Sequence, residues 1–150
     1  MTVRSFKPPQ PLTANGAEMA RALQGAQVSK TDAIRVAGPA GLKAMLWLCR
    51  QGYEQAMFVC SEGVGAQGPA DALLIPQACG ARELGVLLQA GKTLREGGAL
   101  IVQLAASETP ETVAALLEPL GYRIERSLSH NGRTLLIARR FALAGLRRAA

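Results

Sequence analysis

The sequence predicts an α/β domain: a mixed sheet of about six strands, helices on both faces, and an antiparallel hairpin at the C-terminal end. Three observations carry that expectation. Short apolar runs of strand length alternate with segments of helical periodicity along the 150 residues. One run, "ALIVQLA" at residues 99–105, is almost wholly apolar, as suits a parallel strand covered on both faces. Asn131-Gly132 separates two stretches with strand alternation, and a two-residue hairpin turn of this kind needs positive φ at both positions.

The elements follow in order. The first dozen residues, rich in proline, form an arm, and "NGAEMARALQGA" is a short helix with Met19 and Leu23 at i, i+4 spacing. A strand begins at Asp32 and runs to Val36, ended by Pro39 and its neighbouring glycines. Leu42 to Gln51 is an apolar helix closed by Gly52, and "QAMFVC" is a second strand. A glycine-rich loop leads to "ALLIP", a third strand. Residues 80–95 set Leu84, Leu87, Leu88 and Leu94 on one helical face, with Gly97 and Gly98 stopping the helix before the fourth strand. Thr109 caps a helix that has Pro110 at its first position and reaches Leu120. The hairpin strands are "YRIERSLSH" and "TLLIARRF". Three regions result: an arm and helix at residues 1–30, the α/β domain at 31–141 and a basic tail at 142–150.

Composition narrows the functions available. A hydrophobic content of 49% argues for a packed core. With 4% aromatic residues there is little surface on which to stack exposed bases. Proline-rich residues 1–11 do not form a secretory signal, and no apolar run approaches the ~20 residues of a membrane span. Cys49, Cys60 and Cys79 form no Cys-x-x-Cys pair and lie among apolar residues, so the expectation is buried free thiols in the cytoplasm. The single histidine, His130, beside the hairpin turn, makes no metal site. Trp47, on an apolar helix, is expected in the core.

The net charge of +6 belongs to one end. Residues 1–120 carry ten basic and ten acidic side chains, whereas residues 121–150 carry seven arginines against Glu125 alone. Arg139, Arg140, Arg147 and Arg148 are the candidate phosphate contacts, for weak, salt-sensitive nucleic-acid binding. Wound as a helix, the tail does not part its apolar residues from its basic ones, because Leu143 falls near the arginines. A solvated tail is therefore expected and not a membrane helix. Gly63-Val64-Gly65-Ala66-Gln67-Gly68 spells a dinucleotide fingerprint, but Pro69, Ala70 and a strand follow where that motif needs a helix N-terminus.

"LREGGALIV" at residues 94–102, followed by a helix, Leu120-Gly121-Tyr122 and the terminal hairpin, resembles the class I methyltransferase family. The resemblance covers roughly residues 32–140 and implies a Rossmann-like sheet that binds S-adenosylmethionine. Members of that family carry an acidic residue near the end of the first strand and a Gly-x-Gly-x-Gly turn after it. Here the strand and turn are "IRVAGPAG". With Gly41 as the last glycine, Pro39 stands at the middle position and Arg35 at the acidic one; shifted frames put Val36 or Ala37 there. None is a carboxylate, and Arg35 would repel the cationic ligand. The resemblance assigns Gly38, Gly41 and Glu62 to the cofactor if one binds, with Glu62 on the ribose.

The passage from Cys60 to Ala72 is also too short for the family's next helix and strand, which help wall the adenine pocket. After the third strand "PQAC" stands where amino-methyltransferases carry Asn/Asp-Pro-Pro-aromatic, leaving Gln77 as a polar residue without that pattern. The expectation is a degenerate, non-catalytic methyltransferase-like module that binds a partner or ligand, without catalytic residues, metal or cofactor. The alternatives are an S-adenosylmethionine-dependent methyltransferase with an atypical turn and a nucleic-acid-binding accessory protein. Loss of an outer strand leaves "AMFV" as a sheet edge, to be covered by a homodimer partner or by residues 1–25.

Overall fold

The computed structural model describes residues 16–59, 69–78, 81–89, 94–105, 110–130 and 133–141. Its elements are α1 (Gly16–Gly25), β1 (Ile34–Ala37), α2 (Gly41–Arg50), β2 (Ala56–Val59), β3 (Ala70–Ala78), α3 (Ala81–Gln89), β4 (Leu94–Ala105), α4 (Pro110–Leu117), β5 (Tyr122–His130) and β6 (Arg133–Arg140). A 3-10 turn, Glu118–Leu120, joins α4 to β5. The six strands form one sheet in the order β2-β1-β3-β4-β6-β5. β1, β2, β3 and β4 pair in parallel, and β6 runs antiparallel to both β4 and β5. β5 and β6 pair from Tyr122↔Arg140 to His130↔Arg133, the register expected of the terminal hairpin. Asn131 and Gly132 themselves lie outside the described residues, as does Thr109.

The continuous apolar runs explain the layers. Successive side chains of a strand point to opposite faces, so a strand buried on both faces must be apolar at every position. Ile34, Val36, Leu74, Ile101 and Ile137 fill one core with Met19 and Leu23 of α1 and Ala44 and Leu48 of α2. Their neighbours Leu73, Ile75, Leu100, Val102 and Leu136 fill the other with Leu84 and Leu88 of α3 and Val113 and Leu117 of α4. Trp47 packs against the first core from α2, as expected. At the end of α2, Gly52 takes φ 99°. Its N–H bonds the Cys49 carbonyl at 3.1 Å and the next N–H, of buried Tyr53, bonds that of Leu48 at 3.0 Å. This is a Schellman cap, and glycine is needed for its left-handed residue.

Four expectations change. The third helix ends at Gln89 and not near residue 95, because Leu94 to Gly98 open β4. Gly97, at φ 83°, and Gly98 form an irregularity inside the strand: Ala70 pairs with Leu94, but Ala72 already pairs with Ala99. A side chain at Gly98 would meet the Arg95 carbonyl at 2.8 Å. The last helix is α only to Leu117 and closes as the 3-10 turn. Cys49 is exposed, not buried, because it lies on the outward flank of α2; Cys60 and Cys79 lie outside the described residues. Finally, residues 16–25 do not cover the β2 edge. Gly25 lies against Arg126 and Ile137, and the Ala26 carbonyl accepts from Arg139, which places the C-terminal end of α1 against β6.

No helix among the described residues is long and apolar enough to cross a membrane. No group of three or more His, Cys, Asp or Glu side chains gathers to hold a metal among them.

Candidate functional site

A doubly wound sheet places its ligand beyond the carboxyl ends of the strands, where successive connections depart to opposite sides. Here that point is the end of β1, since β2 lies on one side of it and β3 on the other. The turn Gly38-Pro39-Ala40-Gly41 occupies it. The Gly41 N–H bonds the Gly38 carbonyl at 2.9 Å and the Ala44 N–H bonds that of Ala40 at 3.0 Å, so the turn runs straight into α2.

The backbone itself selects a frame for the glycine pattern. Positive φ falls at Gly38 (95°) and Ala40 (61°), two residues apart. Ala40 therefore stands where glycine is favoured, at a cost of roughly 1 kcal/mol for an L-residue in the left-handed region. Counting back from Gly38 puts Val36 at the position of the acidic residue, and Val36 is fully buried in the first core. Arg35, one residue earlier, belongs to the opposite face of β1 and is only 7% exposed, in register with Met57 and Leu73. No carboxylate occurs from Ile34 to Gly41.

Gly41 serves a contact that the sequence did not reveal. A Cβ built there would come within 2.6 Å of the Phe58 ring. Phe58 stands beside Val36 in the β1–β2 register, so the ring of the edge strand leans on the first residue of α2. The close backbone approach that glycine permits is thus used by a side chain of the same chain. Gln77 near the end of β3 is exposed, while Glu62 lies outside the described residues.

Arg139 and Arg140, at the close of β6, stand at the other end of the sheet. The Arg139 guanidinium donates to the carbonyls of Gly97 at 3.2 Å and Ala26 at 2.6 Å, and to the Glu125 carboxylate at 3.3 Å. Arg140 donates to the Leu94 carbonyl. Leu94 and Gly97 open β4, whereas Gly38 follows the close of β1, which runs in the same direction. The structure therefore brings Gly38 and Gly41 together and holds Arg139 and Arg140 away from them. Arg147 and Arg148 lie outside the described residues.

The same far end holds an ion pair not anticipated from sequence. Arg95 Nε donates to Asp71 Oδ1 at 2.7 Å, and the Ala33 N–H donates to Oδ2 at 2.8 Å. The Ala33 N–H and then Arg95 hold the Asp71 carboxyl below its ordinary pKa, against a smaller opposing effect of partial burial. Burial pushes the Tyr53 and Tyr122 hydroxyls up. All three move away from neutrality, whereas a general acid or base works best near it.

No family model matches the chain, and no curated protein matches it. Solved structures do. A ribosomal-protein methylase from Lactobacillus delbrueckii subsp. bulgaricus superposes with a TM-score of 0.68 at 13% identity, over 91% of this chain and 81% of that one. The magnesium protoporphyrin IX methyltransferase of Synechocystis, with bound S-adenosylhomocysteine, gives 0.64 at 12% identity, over 87% and 84%. A putative methyltransferase from Escherichia coli gives 0.54 at 12%, over 95% and 92%. The chain has the Rossmann-like fold of the class I methyltransferases. At these identities the likeness is one of fold.

The residues present do not fit that family's cofactor at the first strand. S-adenosylmethionine carries an ammonium and a sulfonium, and the turn offers them a buried valine, a buried arginine and a left-handed alanine.

Proposed function

We propose that this domain is a methyltransferase-fold module that does not methylate and acts through binding another molecule. One observation carries the reading: the turn at the end of β1 keeps the shape of a ligand turn without a carboxylate, and Phe58 fills the close approach at Gly41. A carboxylate beside a bound ammonium contributes roughly 1.5–3 kcal/mol through a charge-assisted hydrogen bond. Its replacement by a buried apolar side chain removes about one to two orders of magnitude in affinity.

A thermal melt in S-adenosylmethionine and, separately, S-adenosylhomocysteine tests this. At sub-millimolar ligand the expected shift is nil. Ligand at 100 times Kd stabilises by ~2.7 kcal/mol, which raises the midpoint of a domain this size by several degrees. A shift of that size overturns the reading in favour of a methyltransferase with an atypical turn. That second reading draws on the fold shared with the Synechocystis enzyme, and it places Gly38, Gly41 and Glu62 at the ligand.

A further inference from the structure

Among the described residues the sheet ends at β2, which pairs only with β1. Its outer row of N–H and C=O groups meets no strand, and its sequence, "AMFV", holds no charge to deter pairing. Three of the five large hydrophobic side chains exposed among the described residues belong to this strand and its helix: Leu42 (55%) and Leu46 (46%) on α2, and Met57 (41%) on the face of β2 turned away from α2. Leu42, Leu46 and exposed Cys49 follow one another at i, i+4 and i+7 along a single flank of α2, about a quarter turn or more from the buried Ala44 and Leu48.

The direction of that flank follows from handedness. A strand–helix–parallel strand crossover is right-handed, so α2 descends over the β1–β2 pair with residues advancing clockwise as seen from its N-terminus. That sense turns the Leu42–Leu46–Cys49 flank outward past β2, and turns Trp47 inward toward the first core. Among the described residues, this side of the sheet is thus an unpaired strand edge with an apolar helix flank above it.

We propose that a second copy of this chain docks here about a two-fold axis perpendicular to the sheet, pairing β2 with β2 in antiparallel register. Spacing makes a copy of this chain the fitting occupant. Neighbouring strands lie about 4.8 Å apart, so two copies joined through β2 set the centres of their β1–β2 pairs about 9.6 Å apart. Each α2 rides over its own pair, on the same face of the continuous sheet. The two helices then run antiparallel at about 10 Å, within the packing distance of helices in contact. Strand pairing alone therefore brings flank against flank, with Leu46 near the axis and Leu42 opposite the partner's Cys49.

Face parity restricts the register. Met57 and Phe58 point to opposite faces, and residues paired across antiparallel strands point to the same face. The axis must then pass through a self-paired residue, Met57 or Phe58. This interface stands independently of whether the turn binds a ligand.

Sedimentation velocity of the full chain at micromolar concentration tests it, with circular dichroism melts to confirm folding of every variant. The wild type is expected at twice the 15.8 kDa chain mass. Leu46→Arg and Met57→Lys, one on each half of the surface, should each shift the protein toward monomer at an unchanged melting profile below the transition. Val86→Lys, at an exposed apolar residue of α3, should leave the mass unchanged. A monomeric wild type overturns the proposal. So does a dimer that survives both substitutions, or one dissociated by Val86→Lys instead.

Discussion

One added methyl group separates two uses of Gly41. If the glycine seats Phe58, Gly41→Ala overpacks the contact and costs about 1–3 kcal/mol. Phe58→Leu should recover part of that loss, because residues in contact couple by about 0.5–3 kcal/mol in a double-mutant cycle. Urea denaturation of the four proteins reads both numbers, and additive effects would show that the ring does not rest on the glycine. This contact was not legible in the sequence, since nothing local ties residue 41 to residue 58. What was legible is the missing carboxylate, because the identity of residues 35–37 excludes it in every frame. At Asp71 the sign of the pH dependence follows from a folded pKa below the ordinary 3.8. The group stabilises the fold in full above the unfolded value and loses that contribution as pH falls through the folded one. The stability gap between wild type and Asp71→Asn should stay constant from pH 5 to 7 and close below about pH 4. Partial exposure screens the Arg95 pair, so a gap near 1 kcal/mol is expected at neutral pH, measured by chemical denaturation across the range.

At the scale of elements, apolar periodicity announced the strands and helices well, and glycines were ambiguous. Gly97-Gly98 stops a helix or bends a strand with equal ease when read alone. The structure resolves them as an irregularity because Leu94 has Ala70 to pair with and Arg95 has Asp71 to reach. Cys49 misled for a related reason: "AMLWLC" is apolar around most of α2, including the flank that no element covers. The arginines near the C-terminus read as a phosphate-binding end, yet Arg139 joins three elements by donating to Ala26 beyond α1, Gly97 in β4 and Glu125 in β5. The part-buried Ala26 carbonyl left without that donor costs about 1 kcal/mol. Arg139→Ala should therefore release α1 first. Amide exchange across residues 19–28 should accelerate well beyond that of β3, and equal acceleration in both would mean that Arg139 supports the sheet as a whole.

For the whole molecule, the order β2-β1-β3-β4-β6-β5 with one antiparallel strand follows from the alternation of elements and the final hairpin, both visible in the sequence. The molecule separates its features along the strand direction. The turn and Phe58 lie at the carboxyl ends of β1 and β2, while Asp71, Arg95, Arg139 and Arg140 tie together the opposite end. Both faces of the sheet are packed with apolar side chains from the helices. The central claim is that the turn has the geometry of a cofactor loop and does not use it. Two-dimensional amide NMR of the full chain, titrated with S-adenosylhomocysteine to millimolar concentration, tests that most directly. The Gly38, Gly41, Leu42 and Lys43 amides should remain where they are, and saturable shifts confined to them would contradict the account.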